Sequence, residues 1–274
     1  MKLARKLWTR SGTALSVSGS GKTLILAHGV LLDKRMWLRQ VEALSLNYRV
    51  VCYDMLGHGD SPDPYGPRTL NDFVDQMHEV VQQFSEHGRP AVGGFSMGGL
   101  ISQAYAIKHH TLLSGLILIS TVYSRSQQES QIVNDRFKQN KNLGVEHAVS
   151  SAAQRWFVNQ DYQQNSKAIN QIFMWMREGN FIAKCKAHAV FIKKNVQVTE
   201  KLREILCPTL VMTGENDNGS TPQMTAKMAS EIPICEKYIL DNQHHMVTML
   251  DSKRVNIILS KFLFRCLFSN KRPL

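Results

Sequence analysis

The chain has 274 residues, a formal net charge of +11, and 43% apolar residues. That apolar fraction is enough for a full hydrophobic core, which excludes a disordered or fibrous protein. The basic residues are spread along the whole chain and are not interleaved with aromatic residues. This favours a scattered basic surface over a nucleic-acid-binding patch, and it leaves open that part of the charge attracts anionic substrates.

The cysteines and the apolar segments indicate the compartment. The five cysteines form no CxxC pair and no spacing typical of metal ligands, so we expect free thiols in a reducing environment. No segment approaches the roughly 20 apolar residues of a membrane helix, and no apolar stretch of the signal-peptide kind follows the basic start. The sequence therefore predicts a cytoplasmic protein without cofactor, metal, nucleic-acid or membrane partner.

Short apolar runs alternate with longer stretches of helical period along much of the chain. The predicted strands are 23–26, 49–53, 91–95, 115–119, 209–213 and 236–240. The predicted helices are 38–46, 69–85, 98–109 and 251–264. Strands this apolar, separated by helices, predict an α/β protein with a mostly parallel sheet that is covered on both faces.

The alternation of strands and helices stops between about Val122 and Leu206. This stretch is rich in Gln, Asn and Lys and predicts several helices without clear strands. The alternation resumes at Cys207-Pro208. We therefore expect a core formed by residues 1–121 and 207–274, with a helical lid, residues 122–206, inserted over the C-terminal edge of the sheet.

The strongest motif is Gly94-Phe95-Ser96-Met97-Gly98, which matches G-x-S-x-G between a predicted strand and a predicted helix. The two outer glycines permit a sharp turn that lifts the serine hydroxyl above the sheet edge. The following helix begins near Met97, and its N-terminus favours negative charge. Ser96 is therefore the candidate nucleophile of a hydrolase.

A serine hydroxyl needs a base within hydrogen-bond reach, and that base needs an acid to orient it. With this motif the order along the chain is Ser, then Asp or Glu, then His. Asp217 and its neighbour Glu215 follow the strand 209–213, and His244 and His245 follow the strand 236–240. Asp217 and Glu215 are therefore the candidates for the acid, and His244 and His245 are the candidates for the base.

The chain resembles the α/β-hydrolase superfamily along nearly its whole length, and within it the branch of 3-oxoadipate enol-lactonases and related small esterases. The motifs that carry the resemblance are His28-Gly29, 54–61, 94–99 and 214–217, supported by Arg155-Trp156-Phe157 in the lid. The resemblance implies an eight-stranded, mostly parallel sheet with helices on both faces and an inserted helical lid.

The resemblance also selects among the candidate site residues. The acid of the family lies three residues after the glycine, which implies Asp217. An apolar pair follows His245 directly, which favours His245 as the base, with His244 as the alternative. The implied oxyanion hole uses the backbone N–H groups of Met97 and Val30, with Leu31 as an alternative to Val30.

Two loop residues and the aromatic side chains of the lid complete the expected site. The resemblance implies a structural role for His28 and for His58. The expected substrate-binding residues are Trp37, Trp156, Trp175 and Arg155. If the substrate is a carboxylate, Arg155 or Arg177 would bind it.

These residues predict a serine hydrolase that cleaves a small carboxylic ester or lactone through a triad of Ser96, His245 and Asp217 and an acyl-enzyme. The same triad is compatible with a C–C bond hydrolase or a thioesterase. A ligand-binding receptor on the same fold is an alternative of another class. The expected partner is a small-molecule substrate.

Overall fold

The computed structural model describes residues 5–193 and 196–268. One sheet contains eight strands: β1 (Arg5–Trp8), β2 (Ala14–Ser18), β3 (Thr23–Ala27), β4 (Arg49–Tyr53), β5 (Ala91–Phe95), β6 (Gly115–Ile119), β7 (Thr209–Gly214) and β8 (Cys235–Leu240). Their order across the sheet is β1-β2-β4-β3-β5-β6-β7-β8. β2 pairs antiparallel with β1 and β4, and all other neighbours are parallel.

Helices connect the parallel strands. They are α1 (Leu38–Leu44), α2 (Leu70–Gln83), α3 (Met97–His109), α4 (Gln127–Leu143), α5 (Val145–Trp156), α6 (Asn159–Arg177), α7 (Phe181–Ile192), α8 (Val196–Thr199), α9 (Pro222–Glu231), α10 (Val247–Leu250) and α11 (Ser252–Phe268). Short 3-10 helices cover Lys34–Trp37, His110–Leu112 and Leu202–Glu204. None of the described helices is long and apolar enough to cross a membrane.

The centre of the sheet is buried on both faces. Every residue of β3, β5, β6 and β7 is buried, although successive side chains of a strand point to opposite faces. α3 and α11 both pack against β5 and β6. The predicted fold class, with its eight-stranded and mostly parallel sheet, is confirmed.

All six predicted strands are present, and β4, β5 and β6 have the predicted ends. The four predicted helices correspond to α1, α2, α3 and α11 within a few residues at each end. The individual positions of β1 and β2 had not been predicted. Both lie on the antiparallel side of the sheet.

The chain between β6 and β7 forms α4 to α8 and the 3-10 helix 202–204, and its described residues contain no strand. We call residues 122–206 the lid segment. α4 packs against α5 and α7, and α5 packs against α6. The division of the chain into domains at these bounds stays a prediction, and residues 1–4 and 269–274 of the expected core lie outside the described residues.

Candidate active site

Ser96 lies on a sharp turn between β5 and α3. Its backbone has φ 53° and ψ −112°, a conformation that costs free energy for a residue with a side chain. A Cβ atom on Gly94 would lie 2.1 Å from the Gly98 carbonyl carbon, and one on Gly98 would lie 2.3 Å from the Ala27 oxygen. The turn therefore needs glycine at both positions, because the neighbouring backbone atoms leave no room for a side chain.

Hydrogen bonds from the end of β6 hold this turn in place. The Ser96 N–H donates to the Ile119 oxygen at 2.9 Å, and the Thr121 hydroxyl donates to the Ser96 oxygen at 2.7 Å. Both acceptors and donors are buried. The strained residue is thus fixed at the C-terminal edge of the sheet, at the N-terminus of α3.

Asp217 and His245 form a buried pair on the loops after β7 and β8. His245 Nδ1 donates to Asp217 Oδ2 at 2.7 Å. Asp217 Oδ1 accepts the N–H groups of Gly219 and Ser220, both at 2.9 Å. Burial alone raises the pKa of Asp217, but the His245 ring and these N–H groups outweigh it and hold the pKa below its ordinary value. The carboxylate is therefore ionised and fixes the orientation of the imidazole.

The second histidine of this loop takes no part in the pair. His245 lines the same cavity as Ser96, whereas His244 does not line it. The His244 side chain forms no hydrogen bond with any residue in 5–193 or 196–268. Of the two candidate bases, the structure brings His245 to Asp217.

Aromatic rings hold the His245 imidazole on both the core and the lid side. The Phe95 ring centroid lies 4.8 Å from the imidazole, and the Trp156 ring stacks on it at 5.5 Å with an interplanar angle of 29°. In the described structure no hydrogen bond joins Ser96 Oγ to His245. Such bonds are often long in ligand-free enzymes and tighten when substrate binds.

Two backbone N–H groups near Ser96 are available to a ligand. The N–H groups of Val30 and Met97 donate to no acceptor among the described residues. The N–H of Leu31 is occupied, because it donates to His58 Nε2 at 3.3 Å. This geometry favours Val30 over Leu31 as the partner of Met97 in an oxyanion hole.

His58 and His28 are buried supports of the loop that carries Val30. His58 Nδ1 contacts the Leu56 oxygen at 3.2 Å, and His28 Nε2 accepts the Met55 N–H at 2.9 Å. Burial lowers the pKa of His28 below its ordinary value and that of His58 well below it. Both rings are thus neutral and engaged with backbone, in agreement with the structural role that the resemblance implies.

The cavity above Ser96 has a volume of about 220 Å³ and is lined by Arg155 and Trp156 from the lid segment. Trp37 is fully buried and does not reach the cavity. Trp175 lines a different cavity, where its ring lies 5.6 Å from the Arg35 guanidinium. Of the four expected substrate-binding residues, the structure therefore brings only Arg155 and Trp156 to the cavity.

The further polar residues of the lid segment that line this cavity include Arg125, Arg136 and His188, beside Glu129 and Asn140. Arg177, the other candidate for binding a carboxylate, instead pairs with Glu146 at 2.8 Å and does not line the cavity. The sequence had offered no signal for the three lining residues, because they are far apart along the chain and match no motif. Only the packing of α4, α5 and α7 brings them together.

A buried lysine ties the lid segment to the loop of Val30. Lys184 is 2% exposed, and its Nζ donates to the oxygens of Leu31 at 3.2 Å, Trp175 at 3.1 Å, Met176 at 3.2 Å and Glu178 at 2.6 Å. Burial lowers the pKa of Lys184 to about 8. One ammonium group therefore satisfies the end of α6 and the oxygen next to the proposed oxyanion donor.

The variant Lys184→Met is expected to lower the free energy of unfolding by about 2–4 kcal/mol, because it leaves buried carbonyl oxygens without a donor. Urea denaturation measures this change. The matched control is Lys186→Met on the same helix, where a partly exposed lysine pairs with Asp63 at 2.8 Å. Its effect should stay below about 1 kcal/mol. Equal losses for the two variants would contradict the structural role of Lys184.

Comparisons with known proteins find relatives that match most of this chain. A (E)-2-((N-methylformamido)methylene)succinate hydrolase of Acinetobacter baylyi is 28% identical over 245 residues, which are 89% of this chain and 91% of that protein. The 3-oxoadipate enol-lactonase 1 of the same organism is 26% identical and covers 86% of this chain and 88% of its own. The solved enol-lactonase of Burkholderia xenovorans has the same fold, with a TM-score of 0.85, 21% identity, and coverage of 94% of this chain and 99% of its own.

The resemblance stated from the motifs is confirmed by these relatives. The sequence profile of the alpha/beta hydrolase fold family matches residues 22–251, a range that includes the turn at Ser96 and the pair of Asp217 and His245. The chain belongs to the α/β-hydrolase fold family.

Proposed function

We propose that this protein is a serine hydrolase that cleaves a small carboxylic ester or lactone through an acyl-enzyme. One observation carries the proposal. A buried His245–Asp217 pair, joined at 2.7 Å, borders the same cavity as a serine on a strained turn between strand and helix. That arrangement supplies the nucleophile, the base and the orienting acid of triad chemistry.

In the proposed mechanism, Ser96 Oγ attacks the substrate carbonyl while His245 Nε2 accepts the hydroxyl proton. The ionised Asp217 holds the proton of His245 on Nδ1 and stabilises the imidazolium that forms. The N–H groups of Val30 and Met97 donate to the oxyanion. His245 then protonates the leaving alkoxide, and the acyl group remains on Ser96. Water, deprotonated by His245, releases the acid.

The size of the cavity supports a small substrate. Its volume of about 220 Å³ lies below the range of roughly 300–1,000 Å³ that is typical of sites for drug-sized ligands. The names of two relatives specify a hydrolase of a methylenesuccinate derivative and an enol-lactonase. We extend to this chain only what those names share, which is hydrolysis of a carboxylic acid derivative.

Labelling with a fluorophosphonate probe tests the nucleophile. We expect the wild-type protein to be labelled and Ser96→Ala to remain unlabelled, because the probe reacts with an activated serine. Ser124→Ala is the matched control, since Ser124 is exposed and lies outside the cavity. Hydrolysis of p-nitrophenyl acetate should be lost together with the label.

A substrate panel separates the alternatives. It should contain p-nitrophenyl esters, dihydrocoumarin as a lactone, an acyl thioester and a vinylogous 1,5-diketone as a C–C substrate. Preference for the ester or lactone supports the proposal. Preference for the thioester or the diketone would show that the protein cleaves a thioester or a C–C bond instead of an ester bond. A protein that binds ligands tightly, resists the probe and turns over no substrate would instead be a receptor on this fold.

A further inference from the structure

Three guanidinium groups form the lid wall of the cavity. Arg125 lies in the loop before α4, Arg136 lies on α4, and Arg155 lies on α5. All three line the cavity that also contains Ser96. Residues from three separate segments thus bring positive charge to the cavity that the proposed nucleophile also lines.

The nearest carboxylates, Glu129 for Arg125 and Asp217 for Arg155, act on these arginines from beyond ion-pair distance. Within residues 5–193 and 196–268, none of the three forms an ion pair. Arg125 donates to the Phe191 oxygen at 3.0 Å, and Arg155 donates through Nε to the Ser151 oxygen at 3.1 Å. Arg136 forms no hydrogen bond with a described residue. Most of their donor N–H groups are therefore free to bind a ligand.

Burial sets the three apart, because the other described arginines either form an ion pair or, like Arg5, Arg10 and Arg89, are exposed. Arg177 on the lid surface binds both Glu146 oxygens at 2.8 Å. One lid carboxylate, Glu129, does border the cavity, but it accepts the Ser126 N–H at 2.7 Å at the start of α4. The three guanidinium groups still outnumber the two carboxylates that line the cavity, Glu129 of the lid segment and Asp217 of the core.

Burial makes these charges costly in the free protein. Burial and the neighbouring Arg136 lower the pKa of Arg125 to about 10 and that of Arg155 to about 9. His188, which also lines the cavity, has its pKa lowered to about 3 by burial and by all three arginines. His188 therefore stays neutral, and an anion in the cavity would relieve the repulsion among the guanidinium groups.

We propose that Arg125, Arg136 and Arg155 form a binding site for a dicarboxylate, so that the substrate carries two carboxylates besides the bond that is cleaved. This inference rests on the proposed hydrolase function, because it assigns the substrate of the same cavity. Guanidinium groups bind carboxylates with paired, charge-assisted hydrogen bonds, and the free donors of three guanidinium groups are enough for two carboxylates. The cavity of about 220 Å³ suits such a small and highly charged acid.

The core and the lid segment would then have different roles in catalysis and substrate binding. The core supplies Ser96, Asp217 and His245, which act on the scissile carbonyl. The lid segment supplies the charges that select the substrate and hold its carbonyl above Ser96. Neutral esters that lack the carboxylates would react slowly, because they gain none of this binding energy.

Titration calorimetry with succinate and its neutral analogue succinamide tests the site in the 274-residue protein. We expect succinate to bind and succinamide not to bind measurably. Arg136→Gln and Arg155→Gln should each weaken succinate binding by about 10- to 100-fold, as for hydrogen bonds to charged groups. Arg177→Gln is the matched control and should leave succinate binding unchanged, since Arg177 already pairs with Glu146.

A second measurement distinguishes ligand binding from a structural role. Because the three arginines lack ion-pair partners, Arg136→Gln and Arg155→Gln should keep or raise the melting temperature. Variants that melt at a lower temperature and bind succinate as well as the wild type would overturn the proposal. Equal affinity of the wild type for succinate and succinamide would overturn it as well.

Calorimetry does not depend on turnover, so the two proposals fail separately. A protein that binds succinate through these arginines but resists the fluorophosphonate probe upholds the dicarboxylate site and rejects the hydrolase. A protein that is labelled at Ser96 and hydrolyses esters, yet binds succinate no better than succinamide, upholds the hydrolase and rejects the dicarboxylate site.

Discussion

His245→Gln is expected to lower kcat for p-nitrophenyl acetate by about 10⁴- to 10⁶-fold, the range found when a triad loses its base. Without the imidazole no group takes the proton of Ser96 as it attacks. The remaining turnover would come from the oxyanion donors and from binding. Steady-state kinetics measures the loss, and the melting temperature shows whether the variant is folded.

The neighbouring histidine provides a matched control for this prediction. His244 precedes His245 directly but does not line the cavity. His244→Gln should therefore keep kcat within about twofold of the wild type, as expected for a substitution outside the site. The assignment of the base would be wrong if the His244 variant lost activity and the His245 variant kept it.

The fold was largely predictable because its central strands bury both faces. β4, β5 and β6 are short apolar runs, and such runs mark strands that helices cover on both sides. β1, with the sequence Arg-Lys-Leu-Trp, is a four-residue edge strand that is mostly exposed. β2 is short, contains two serines, and does not alternate buried and exposed residues, because only Ser16 and Val17 at its centre are partly exposed. Neither pattern differs enough from a loop to be assigned from sequence alone.

The candidate site was predictable where its geometry is local. The turn at Ser96 needs two glycines that the sequence displays, and the order Ser, Asp, His follows the order of the strands. The choice of Val30 over Leu31 could not be made from sequence, since it depends on a hydrogen bond from Leu31 to His58 across 27 residues. Any residue type can supply a backbone N–H donor, so the sequence does not reveal which residue does.

The arginine cluster was beyond sequence reasoning for a different reason. Arg155 was expected at the site because it lies within a motif, but Arg125 and Arg136 lie in a polar stretch where arginine is common. Their exceptional property is the lack of an ion pair at a partly buried position, which is visible only once all neighbours are placed. The expected roles of Trp37 and Trp175 failed to match the cavity for the same reason, since burial in the core and lining of a site look alike in sequence.

Asp217→Asn is expected to lower kcat by about 10⁴-fold through the tautomer of His245. The carboxylate accepts from donors on both oxygens: Gly219 and Ser220 on Oδ1, and His245 and Thr213 on Oδ2. An asparagine amide has one oxygen and one NH₂ group, so it can accept hydrogen bonds at only one of these two positions. If its oxygen faces the two backbone N–H groups, its NH₂ group faces His245 Nδ1 and moves the imidazole proton to Nε2. That nitrogen can then no longer take the proton of Ser96.

The same substitution has an expected signature in stability. The folded protein holds the pKa of Asp217 below its unfolded value, so the ionised group stabilises the fold above about pH 4. This contribution is lost as the pH falls through the lower pKa of the folded state. The difference in free energy of unfolding between the wild type and Asp217→Asn should therefore narrow on acidification, as measured by urea denaturation at several pH values.

Glu215→Gln is the matched control, because Glu215 lies on the same loop and was the rival candidate for the acid. Glu215 Oε2 accepts the Asn242 N–H at 2.9 Å, and the oxygen of a glutamine can accept it equally well. We therefore expect Glu215→Gln to retain kcat and to follow the wild type in stability at each pH. A large loss of kcat in this variant, with activity kept in Asp217→Asn, would reverse the assignment, and the buried pair of Asp217 and His245 would then be structural.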